Sequence, residues 1–118
     1  MRRMTSLLLL VLCCGCGGPA VRIHNESAVT LTDVRVSGRG FESAIARIEP
    51  GETRAVAVRP KGETGLAVSF IAGGRRFDHP AQGYIEGSPA YVAEIHVKRD
   101  LTVEVRTGLA GAHRKGVS

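Results

Sequence analysis

Tryptophan is absent, and only three phenylalanines and two tyrosines occur among 118 residues. Cysteine is confined to one place: Cys13, Cys14 and Cys16 crowd into four residues near the start, and none follows. Whatever folds after residue 16 therefore has no disulfide, no thiolate zinc ligand and no cysteine nucleophile. Small exported domains often rely on disulfide staples. This one depends on burying aliphatic side chains, with a stability on the order of 5 kcal/mol. Two further absences set the class. No stretch keeps an apolar period of 3.6 residues, which excludes amphipathic helices as the main element. No apolar run approaches the roughly 20 residues of a bilayer-spanning helix.

Nor is there an excess of one charge in the body of the chain. Lys and Arg outnumber Asp and Glu by 16 to 11, but Arg2, Arg3, Arg114 and Lys115 lie at the two ends. The 16 less those four leaves 12 basic residues against 11 acids between positions 22 and 106. A nucleic-acid partner is not expected, because phosphate binding needs a basic face, usually with aromatics for stacking. Catalytic patterns are missing too. There is no Gly-x-Ser-x-Gly elbow and no Gly-rich loop leading into a helix. Among His24, His79, His96 and His113 no His-x-His or His-Glu-x-x-His spacing occurs. These histidines read as solvated surface imidazoles, with His24 and His96 on the outward phases of their strands. No enzyme activity, cofactor or metal site is expected.

What is present begins with a leader. Arg2 and Arg3 precede the aliphatic run 7–12, which leads into Cys13-Cys14-Gly15-Cys16-Gly17-Gly18-Pro19. A positive start, an apolar middle and a small-residue end make a secretory signal. Its end resembles the lipobox of bacterial lipoproteins, in which Leu, a small residue, and Gly or Ala precede a lipidated cysteine. Gly15 and Cys16 match the last two places; Cys13 and Cys14 stand where Leu and a small residue are usual. Cys14 fits less well as the modified residue, because Cys13 would precede it. The other reading is an ordinary secretory signal with unmodified cysteines. The resemblance implies a diacylglyceryl group on the Cys16 thiol and cleavage before it. One acyl chain binds a membrane only marginally, and two or three bind it stably. With Gly17 rather than Asp after the cysteine, the same resemblance implies the outer membrane, with the domain facing the periplasm.

The expected organisation is a signal peptide (1–15), a lipidated tether (16–20), a β domain (21–107) and a disordered tail (108–118). In the β domain, β-branched residues alternate with polar ones and are cut by Gly, Pro, Asn and Asp every 8–12 residues or so, the pattern of a sandwich or barrel. Strands are predicted at 21–25, 31–37, 43–48, 53–59, 65–72, 75–79, 91–97 and 102–107. Leu31 is out of phase with Val34 and Val36, which predicts a bulge or bend. Gly73-Gly74 predicts a two-residue hairpin setting Phe70 opposite Phe77. In the last hairpin, like charges repel across strands. The register pairing Glu94 with Arg106 and His96 with Glu104 is therefore preferred to one pairing Glu94 with Glu104.

The order Asn25, Ser27, Leu31, Val34, Val36, then Ile48-x-Pro50-Gly51-Glu52, then Val56 and Val58, resembles bacterial immunoglobulin-like domains. The resemblance implies an immunoglobulin-like antiparallel β-sandwich and carries over no catalytic residue. The missing Trp and cysteines exclude the antibody-type core. The segment 84–90 is the expected recognition loop, with Tyr84, Ile85 and Glu86 contacting a protein partner at the end of the sandwich away from the anchor. The function expected is a lipid-anchored binding or structural module of the cell envelope, working through protein contacts. The alternative is a periplasmic carrier of a small ligand or metal, using His24, His79 or His96.

Overall fold

A computed structural model describes residues 18–110, which form eight strands. In chain order these are β1 (Ala20–Asn25), β2 (Leu31–Gly38), β3 (Phe41–Ile48), β4 (Thr53–Ala57), β5 (Thr64–Ala72), β6 (Arg75–Ile85), β7 (Tyr91–Val97) and β8 (Val103–Leu109). They build two four-stranded sheets, ordered β4-β1-β7-β8 and β3-β2-β5-β6. The pairs are antiparallel except β1 with β7, which run parallel. The leader (1–15), Cys16 and the end of the expected tail lie outside the described residues. The fold itself reaches further at both ends than the sequence predicts: Pro19 is already buried, and β8 continues to Leu109.

Alternation builds the core. Val21 and Ile23 of β1 and Ala93, Ile95 and Val97 of β7 face inward from the first sheet. Leu66, Val68 and Phe70 of β5 meet them from the second, and all eight are buried. Leu31 and Val34 both point inward although three residues apart. Asp33 takes a φ of 47°, and the β2–β5 register shifts between Thr32 and Arg35, which is the predicted bulge. The Gly73-Gly74 hairpin has the predicted register, Ala72 with Arg75 and Phe70 with Phe77, and the two phenylalanine rings stack at 5.5 Å. In the last hairpin Glu94 pairs with Arg106 and His96 with Glu104, as charge predicts.

The strand predicted at 75–79 is much longer. β6 runs on through Pro80 and Gly83 to Ile85. Pro80 is tolerated because β6 is an edge strand, where a missing N–H leaves no ladder gap. Gly83 does not end the strand but bends it, with a φ of 77°. A side chain there would meet Thr107 Cγ2 at 2.6 Å, because β6 closes against β8 at this point. Gln82 completes the closure: its amide donates to Val103 O at 2.9 Å and accepts from Val105 N at 3.2 Å.

Asn25 ties the loops at one end. Its Nδ2 donates to Val29 O at 2.8 Å and Ile48 O at 3.0 Å, and its Oδ1 accepts from the N–H and hydroxyl of Ser27. Both residues are buried, so the Asn-x-Ser pattern is a buried turn fully satisfied by its own hydrogen bonds. This distal end holds loops 26–30, 49–52, 73–74 and 98–102. The opposite end holds the entry to β1 and loops 39–40, 58–63 and 86–90.

Candidate functional site

The outer face of the first sheet gathers the titratable side chains. Strand register sets them in two rows. Arg22 lies beside Glu94 and Glu94 beside Arg106; Thr53 lies beside His24, His24 beside His96, and His96 beside Glu104. The parallel β1–β7 pairing is what brings the two histidines together. Their rings stack with centroids 4.7 Å apart and planes 12° from parallel.

A chain of polar contacts holds the pair in place. His24 Nε2 donates to Glu94 Oε1 at 2.5 Å, since an ionised carboxylate only accepts. Its Nδ1 lies 2.9 Å from Thr53 Oγ1 and, in the neutral ring, accepts that hydroxyl proton. His96 Nδ1 donates to Glu26 Oε2 at 2.5 Å. Arg22 reaches Glu94 Oε2 through Nη2 at 2.8 Å and Nε at 3.2 Å. Beyond Glu26, Lys98 Nζ lies 3.4 Å from Glu104, which also accepts from Arg106 Nε at 2.7 Å. Partial burial pushes the Glu94 carboxyl up, but the hydrogen bonds from Arg22 and His24 outweigh it and hold the group below its ordinary value. The His96 hydrogen bond lowers Glu26 in the same way, and the Arg106 hydrogen bond lowers Glu104.

Thr53, His24 and Glu94 line up as hydroxyl, imidazole and carboxylate, the order of a hydrolase triad. The hydroxyl here is a threonine's and is bonded to Nδ1. A metal fits poorly. Ring lone pairs point in the ring plane, so parallel stacked rings aim theirs side by side and not at one point. Among the described residues no group of three or more His, Cys, Asp or Glu is placed to hold a metal ion. A hollow of about 370 Å³ lies over the face, lined by Arg22, His24, Val92, Glu94, His96, Arg106 and Thr107.

The residues singled out from sequence are placed differently. Cys16 lies outside the described residues. Ile85 is 0% exposed and belongs to the core, because β6 carries it inward in place of releasing it into a loop. It cannot contact a partner. Tyr84 is 43% exposed and donates its hydroxyl to Glu86, which pushes the phenol pKa up. Its ring meets Tyr91 edge-on at 6.0 Å. The segment after Ile85 leads into Tyr91, beside the start of β1, so it lies at the N-terminal end and not at the far one. The histidines are not simply solvated. His24 and His96 are about one-fifth exposed, and His79 packs on Phe70 at 5.6 Å with its Nε2 buried and without a hydrogen-bond partner among the described residues. His113 lies outside the described residues. The stacked pair was missed because nothing local in the sequence joins β1 to β7. Its one sequence trace is two outward-phase histidines, with Glu94 two residues from His96.

The architecture is that of an immunoglobulin-like β-sandwich with one parallel strand pair. No protein-family model and no curated protein gives a significant match to the chain. Among solved structures, the NMR structure of a protein from Eubacterium rectale is similar in fold. It has a TM-score of 0.52 and 15% sequence identity, over 81% of this chain and 93% of that one. At that identity the likeness speaks to the fold alone.

Proposed function

We propose that this chain is a lipid-anchored binding module of the bacterial cell envelope, held by Cys16 at the outer membrane and acting through protein contacts. The observation that carries the reading is the ordered outer face of the first sheet. Its side chains are tied to one another before any partner arrives, so little side-chain freedom remains to be lost on binding. Its alternating charges suit recognition of a complementary surface, which gives specificity more than raw affinity. This face replaces Ile85 as the recognition surface.

Two measurements test the reading. Cys16→Ser abolishes lipid labelling and leaves the precursor uncut or soluble; persistent acyl labelling of that variant overturns the anchor. A photo-crosslinker at Arg106 captures a defined envelope protein in cells, while one at Ala46, on the outer side of the second sheet, does not. Equal capture from both positions overturns the assignment of the face.

The hollow supports a second reading, a carrier of a small ligand. Its volume is within the roughly 300–1,000 Å³ of ligand pockets, and it is lined by two arginines and two histidines. Melting scans with candidate anions separate the two readings, because a bound ligand raises the melting temperature by mass action.

A further inference from the structure

The N-terminal end of the sandwich carries aromatic, aliphatic and basic side chains together. Among the described residues Tyr84 and Leu109 are two of the three large hydrophobic side chains left exposed, at 43% and 45%. Leu109 pairs with Tyr91 across β7 and β8, and Tyr84 meets Tyr91 edge-on, so the three form one patch. The same end of the sandwich carries Arg39, Arg59 and Lys61, all exposed, with the carboxylates Glu63 and Glu86 near the tyrosines. Lys61 N–H donates to Arg39 O, which packs loop 58–63 against the β2–β3 turn. Most arginines on the sheet faces have a carboxylate within 4 Å, as Arg22, Arg35, Arg47, Arg54, Arg76 and Arg106 do. Arg39, Arg59 and Lys61 have none among the described residues, and of the other described cations only Arg75 and Arg99, at the distal end, share this.

The same end receives the tether. Gly18 lies close to Val58 O, which a β-carbon there would approach to 3.2 Å, and Pro19 is buried. Only Gly17 and the peptide bonds beside it separate the fixed chain at Gly18 from Cys16. Two residue steps span at most about 7 Å. A lipid on Cys16 would therefore hold this end against the headgroups.

We infer that the N-terminal end, through Tyr84, Tyr91, Leu109 and the cations Arg39, Arg59 and Lys61, makes a second, non-covalent contact with the anionic phospholipid surface of the membrane that holds the anchor. The inference rests on lipidation of Cys16. Tyrosine suits it, having an apolar ring and a polar tip that fit the headgroup level. The unpaired cations suit it as well, because basic side chains close to an anionic leaflet are attracted to it within a Debye length. The contact fixes orientation: the strands stand away from the membrane, the histidine face rises along the side, and the Asn25 loops point outward.

The sequence supplies its own probe. With two tyrosines and no tryptophan, all intrinsic fluorescence comes from Tyr84 and Tyr91. The mature protein is purified in detergent, its mass is checked for acyl groups, and it is reconstituted into brominated vesicles. One set is phosphatidylcholine alone and the other contains about one-third phosphatidylglycerol. Quenching by brominated lipid is expected to be about twofold stronger with the anionic lipid and to weaken with salt. The triple variant Arg39→Glu, Arg59→Glu, Lys61→Glu keeps both fluorophores and still floats with vesicles, but loses the increase. The control Arg75→Glu with Arg99→Glu, at the distal end, keeps it. Acylated protein quenched equally in both vesicle types overturns the contact and leaves the anchor standing. A mass without acyl groups removes the tether and overturns both.

Discussion

His24 and His96 stack face to face although they come from strands near opposite ends of the chain, and each is held from its edge by a different carboxylate, Glu94 and Glu26. The stack is a tertiary contact, so it should show up as coupling. In a double-mutant cycle of His24→Ala and His96→Ala, the two changes are non-additive by about 0.5–1 kcal/mol. Denaturant titrations of the four proteins check this, and strict additivity would mean that the rings merely lie near one another.

Acid should weaken the fold through the same face. Glu26, Glu94 and Glu104 are all held below their ordinary range by hydrogen bonds from His96, from Arg22 and His24, and from Arg106. A carboxylate with a lowered pKa in the folded state stabilises the fold above its unfolded pKa. It loses that contribution as pH falls through the folded value. The melting temperature should hold near neutrality and fall from about pH 5 downward. Glu94→Gln makes the fall shallower, and an identical slope in that variant would remove Glu94 from the account.

Asn25 is the polar residue the fold can least spare. Truncation to alanine leaves the Ile48 and Val29 carbonyls and the Ser27 donors short of partners in a buried place. The expected loss is about 2–3 kcal/mol by chemical denaturation. Asn25→Asp is no rescue, because a carboxylate cannot donate to the two carbonyls. A loss below about 0.5 kcal/mol for alanine would mean that water replaces the side chain at little cost.

The central phenylalanines should separate by depth. Phe70 is fully buried and packs against both Phe77 and His79 of β6. Phe70→Ala should cost about 3–5 kcal/mol, close to the whole stability of a domain this size. Phe77 is half-buried beneath Arg75, and its removal should cost about 1–2 kcal/mol. Melting curves rank the two, and a reversed order would contradict the packing.

At Gly83 a backbone effect and a steric one can be split. Gly83→Ala places a β-carbon at positive φ and against Thr107 Cγ2, at a cost of about 1–3 kcal/mol. Thr107→Ser removes that methyl and keeps the hydroxyl that accepts from Tyr84 N–H. The double variant should recover the steric part alone. Full recovery would mean that the left-handed backbone carries no penalty for alanine.

These outcomes follow the line between local and long-range information in the sequence. The Phe70–Phe77 register was legible because Gly73-Gly74 fixes a two-residue turn, and the Glu94–Arg106 register because charge decides between two in-phase choices. The bulge at Asp33 was legible from a single phase error at Leu31. The course of β6 was not, because Pro80 and Gly83 read as breakers, and only the closure against β8 shows them as an edge residue and a bend. Ile85 was misplaced by the same step. The histidine pair was least legible: β1 and β7 share no turn, and only the completed sheet makes neighbours of His24 and His96.

The placement of β1 between β4 and β7 also decides how the domain answers a pull. A load drawn through the N-terminus and resisted at the distal loops runs along β1, while its hydrogen bonds lie across that line on both flanks. The two ladders are then sheared together and do not open one bond at a time as a hairpin does when its ends are drawn apart. A small domain gains in this way mechanical strength along the direction in which β1 runs.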